Sequence, residues 1–65
     1  MQIELSREEA ELLRDTLKYE IEQLDKEINR TDSLAFKREL QGRDRTLERI
    51  LGRIAAALEQ MPGDQ

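Results

Sequence analysis

Sixty-five residues without cysteine or histidine leave room for one domain and exclude both a disulfide framework and an ordinary zinc site. Charged residues make up 40% of the chain and hydrophobic ones 37%, with a formal net charge of -4. No apolar run is long enough to span a bilayer, and Met1-Gln2-Ile3-Glu4 lacks the basic and apolar regions of a signal peptide, so a cytoplasmic protein is the expectation. Residues 1–30 hold nine acids and five bases, residues 31–65 six of each. That balance disfavours a global attraction to nucleic acid or to anionic lipid.

Ser6-Arg7-Glu8-Glu9 has the spacing of a capping box, in which the Ser6 hydroxyl accepts from the Glu9 N–H while the Glu9 carboxylate accepts from the Ser6 N–H. This predicts a first helix over about residues 7–29, with Leu5 and Ala10 placed for a weak hydrophobic staple. Glu8, Glu9 and Glu11 suit the positive end of its dipole. Ala10, Leu13, Leu17, Ile21, Leu24 and Ile28 then recur at steps of three and four, which puts them on one helical face. Arg7 with Glu11, Lys18 with Glu22, and Glu22 with Lys26 are compatible exposed pairs, each worth ~0.2–0.5 kcal/mol.

Thr31, Asp32 and Ser33 carry side-chain oxygens that compete for backbone donors, so they mark a turn over about residues 30–33 and a cap for the next helix. Asp32 or Thr31 is the favoured cap. A connection this short makes antiparallel neighbours, one continuous rod being the rarer outcome. The second helix is expected over about residues 34–60, carrying Phe36, Leu40, Leu47, Ile50, Leu51, Ile54, Leu58 and Met61, with Pro62-Gly63 as its stop and residues 61–65 as a tail. The stripe has a gap at Arg43 or Asp44. With the turn at residues 31–32, facing positions sum to roughly 63, which sets Arg43 near Glu20 as a flanking ion pair. The same sum sets Ile3 and Leu5 beside Leu58 and Met61, closing the open end.

Two helices are too few to hold this chain together alone. Ordering about 55 residues costs on the order of 80 kcal/mol, which at ~25 cal/mol per Å² requires roughly 3,000 Å² of apolar surface to leave water. In a lone pair each helix touches one neighbour and the flanks of its stripe stay wet. The expected fold is therefore all-α: an antiparallel hairpin of two long helices that dimerises into a four-helix bundle. Its shared core comprises Leu13, Leu17, Ile21, Leu24, Ile28, Phe36, Leu40, Leu47, Leu51, Ile54 and Leu58.

No catalytic, cofactor-binding or metal-binding constellation emerges. Carboxylate metal sites in bundles need Glu-x-x-His pairs, and the chain has no histidine. Ser6 and Ser33 are the only serines and sit at helix starts, while Gly42, Gly52 and Gly63 form no phosphate loop. Two outer surfaces stand out instead. Leu12 and Tyr19, seven apart and opposite the core stripe, form a candidate partner surface. Arg38, Arg45, Arg49 and Arg53 line the outside of the second helix together with Gly42 and Gly52. Like charges at i and i+4 and mid-helix glycines are both locally unfavourable, which makes that strip a candidate dock for phosphates or an acidic partner.

In length and layout the chain resembles the Rop family of plasmid RNA modulators, short helical hairpins that dimerise into a four-helix bundle. That resemblance implies a fold and, as an alternative function, RNA binding through the arginine strip; no residue motif carries over. Glu27-Ile28, Thr31-Asp32-Ser33 and Phe36 are also similar to a pattern in small uncharacterised bacterial hairpin proteins. The leading expectation is a non-enzymatic homodimer acting in protein-protein interaction as a small regulator or adaptor.

Overall fold

The computed structural model describes residues 2–61. Helix α1 runs Arg7–Arg30 and helix α2 runs Leu34–Gln60, packed against each other as a hairpin. The local chemistry of each end explains these limits. At the start of α1 the Glu9 N–H donates to Ser6 Oγ at 3.1 Å and the Ser6 N–H donates to Glu9 Oε1 at 2.8 Å, which completes the capping box. At its end Thr31 turns extended, with φ -82 and ψ 138, while its N–H still donates to the Glu27 carbonyl at 3.1 Å.

The cap of α2 is Ser33, not Asp32 or Thr31: its Oγ accepts from the Phe36 N–H at 3.2 Å. Arg30 remains helical, so Thr31 and Asp32 are consumed in reversing the chain. Thr31 Oγ1 accepts from the Ser33 N–H at 3.4 Å, and Ser33 is left as the residue before the new helix. Met61 is extended, and its N–H donates to the Leu58 carbonyl at 3.2 Å. Pro62 and Gly63, the expected stop, lie outside the described residues.

Ala10, Leu17 and Leu24 of α1 are buried against Leu40 and Leu58 of α2. The pairing register differs from a sum of about 63. Arg7 reaches the carbonyls of Leu58 and Met61, and Asp25 faces Asp44, so α2 is shifted several positions toward its C-terminus. The turn accounts for about one of these positions, its centre falling at Asp32 between Arg30 and Leu34, and the rest of the offset lies in how the two helices pack. As a result Arg43 and Glu20 are both exposed and form no ion pair.

Three smaller expectations also change. Arg7 and Glu11 pair at 3.2 Å, but among the described residues Lys18–Glu22 and Glu22–Lys26 do not come within 4 Å. Ile3 is exposed and does not close the open end of the hairpin. Leu5 is half-buried beside Glu9, Leu12, Leu13 and Thr16, on the flank of its own helix.

The molecule measures 49 × 22 × 14 Å. A single helix with its side chains is about 10–12 Å across, so the hairpin is one layer thick. Domains are ordinarily built from at least two layers around a core. No helix among the described residues is long and apolar enough to cross a membrane.

Candidate interaction surfaces

A one-layer hairpin has two broad faces and two outer edges, and helical phase assigns each side chain to one of them. Leu17 and Leu40 are buried and mark the direction toward the partner helix. At 3.6 residues per turn, Leu13 lies about 40° to one side of Leu17, while Phe36 and Ile54 lie about 40° and Ile50 about 80° to one side of Leu40. In an antiparallel pair these offsets fall on the same broad face. That face sets these apolar side chains among Glu20, Glu27 and Arg43, which the same phase brings to it. Leu13 is 36% exposed, Phe36 45% and Ile50 39%, with Leu47 and Ile54 half-buried beside them.

The opposite broad face carries Arg7, Arg14, Lys37, Asp25, Asp44 and Glu48, with Ile21 half-buried among them. Arg7 ties the two helices together there. Its Nη1 donates to the Leu58 carbonyl at 3.3 Å and to the Met61 carbonyl at 3.5 Å, and its Nε lies 3.2 Å from Glu11. A guanidinium in the first turn of α1 is misplaced with respect to that helix's own dipole. It is well placed for the negative end of α2, where the Leu58 carbonyl also accepts from the Met61 N–H. Helical spacing alone pairs Arg7 with Glu11; a base at a helix start in an antiparallel pair is the signal of its second role.

Farther along the same face, Asp44 occupies the gap in the apolar stripe and meets Asp25 across the helix pair. Its carboxyl is pushed from 3.8 up to about 6, first by hydrogen bonding with the Asp25 carboxyl, then by burial and by the charges of Asp25 and Glu48. Asp44 Oδ1 is buried without a hydrogen-bond partner, which a proton held between the two acids would supply. Where a flanking ion pair was expected, the structure holds two like charges. Two carboxylates alone make no metal centre, and among the described residues no group of three or more ligating side chains gathers.

Of the expected shared core, Leu17, Leu24, Leu40 and Leu58 are buried within one hairpin; Ile21, Ile28, Leu47, Leu51 and Ile54 are half-buried; Leu13 and Phe36 are exposed. The outer edges are fully wet. Leu12 is 69% exposed and Tyr19 60% on the back of α1. Arg38, Arg45, Arg49 and Arg53 are all exposed on the back of α2, and among the described residues none lies within 4 Å of a carboxylate. A Cβ added at Gly42 or Gly52 would meet nothing within 4 Å, so the helix back is open at both positions. Comparison with protein-family models, curated proteins and solved structures finds no match to this chain.

Proposed function

We propose that the chain is a non-enzymatic, cytoplasmic protein-interaction module, a small regulator or adaptor. Two hairpins close through their apolar broad faces into a homodimeric four-helix bundle of the Rop layout. The observation that carries this reading is the single-layer hairpin whose one broad face leaves Leu13, Phe36 and Ile50 exposed along its length, interspersed with Glu20 and Arg43. Area supports it as well. A compact protein of 7.6 kDa exposes about 4,300 Å², whereas this chain exposes 5543 Å². The excess, about 1,200 Å², exceeds the ~800 Å² each partner gives to a standard interface. A second copy presents the same apolar face and is the partner present at every concentration of the protein.

Thermal unfolding over a hundredfold range of protein concentration tests the reading. A dimer that folds as it associates melts at a temperature that rises with concentration. A midpoint independent of concentration contradicts it.

A further inference from the structure

The outer edges of the hairpin are complementary to each other, and within one copy they point in opposite directions. Within about 60° of the outward direction, α2 carries Arg38, Arg45, Arg49 and Arg53 together with Gly42 and Gly52, and no Asp or Glu. The outward sector of α1 carries Glu8, Glu11, Asp15 and Glu22, with Leu12 and Tyr19 among them, and the bases Lys26 and Arg30 beyond the acid row toward its C-terminus. At 1.5 Å per residue the arginines span about 22 Å and the acids about 21 Å. Laid antiparallel, the two rows fall into one register: Arg38 meets Glu22, Arg45 meets Asp15, Arg49 meets Glu11, and Arg53 meets Glu8 within one position. In that register Tyr19 lies over Gly42, where the back of α2 is open and arginines flank the site on either side.

From this match we propose that the outer edge of α2 docks on the outer edge of α1 of a second copy. The docking explains three features that are each unfavourable or unexplained in one hairpin: a row of like charges at i and i+4, two mid-helix glycines, and an exposed aromatic ring. Small residues let the helix backbones approach, and the arginine forks meet carboxylates. Glu11 and Asp15 keep local partners in Arg7 and Arg14, at 3.2 and 3.0 Å, and Glu8 and Glu22 have none within 4 Å among the described residues. Because each copy offers one edge of each kind, the contact is head-to-tail and repeats without closing, so hairpins add side by side. The edges stand apart from the apolar broad face, so stacking adds to whatever assembly that face forms.

Sedimentation velocity of the full chain at ~20 mM and ~500 mM salt tests this, because exposed charge pairs are screened at the higher ionic strength. The high-salt mass reports the basal assembly, and the low-salt increment reports stacking. The increment is expected to grow with protein concentration. Arg45→Glu or Asp15→Arg alone should weaken it about tenfold, and the two together should restore it. Should Arg45→Glu lose helicity by circular dichroism, Arg49→Glu with Glu11→Arg serves as the same cycle. Absence of a low-salt increment, single variants that associate like wild type, or a double variant that fails to recover each overturns the proposal. Low-salt gel shift of an RNA duplex that Arg45→Glu abolishes, with no self-association at the same salt, also overturns it and assigns the strip to a polyanion.

Discussion

The two broad faces of the hairpin are built from the same helices and differ in how much apolar surface they leave bare. One carries Leu13, Phe36, Ile50 and Ile54 with Glu20 and Arg43 among them; the other carries Arg7, Arg14, Asp25 and Asp44. A surface helix normally needs one apolar stripe to meet one neighbour. Here the stripe is broader than the neighbouring helix can cover, and the excess falls on one side. The difference teaches that the buried line of Ala10, Leu17, Leu24, Leu40 and Leu58 holds the hairpin, whereas its flank leaves Leu13, Phe36 and Ile50 exposed.

The contrast breaks most visibly with charge. Ile50→Glu puts a carboxylate on the apolar face, and we expect it to cost more than ~3 kcal/mol of association and to remove concentration-dependent melting. Ala55→Glu, an exposed position on the polar side beside Arg7 and Arg14, should change stability by no more than ~0.5 kcal/mol. Equal effects of the two would erase the distinction between the faces. Next in size is the shared line: Leu17→Ala should destabilise by about 2–5 kcal/mol in chemical denaturation, since a side chain only 8% exposed is removed. Ser6→Ala should cost about 1 kcal/mol by losing the capping box, on both faces alike.

The smallest effect sharpens the polar face. Asp44 titrates near 6 in the folded hairpin and near 3.8 unfolded, so between those values the folded state holds more protons. Stability therefore falls as pH rises through that window and is highest at its acid end. Asp44→Asn should flatten the dependence and stabilise the hairpin at pH 7, by less than about 1 kcal/mol after solvent screening, with no gain below pH 3.8. Melting curves of both proteins from pH 3 to 8 check this; a wild type that gains stability between pH 4 and 6 contradicts it.

Much of the hairpin was legible in the sequence because its signals are local. Ser6 and Glu9 need only three-residue spacing to announce a helix start, and the break at Thr31-Asp32-Ser33 needs only its own side chains. Register is different. It depends on how the two helices pack as well as on which polar residue caps α2, so a sum of 63 sets Arg43 facing Glu20 where the structure has Asp25 facing Asp44. The broad faces were illegible for the same reason: periodicity marks a stripe, but only packing shows which flank of it the neighbouring helix leaves bare. Leu13 and Leu17 look equivalent in sequence, and one is exposed while the other is buried.

Sedimentation equilibrium in ~500 mM salt, where edge contacts are screened, tests the central claim most directly. The account predicts a single species of about 15 kDa, twice the 7.6 kDa chain, at low micromolar concentration. A folded, cooperatively melting species of 7.6 kDa would contradict it.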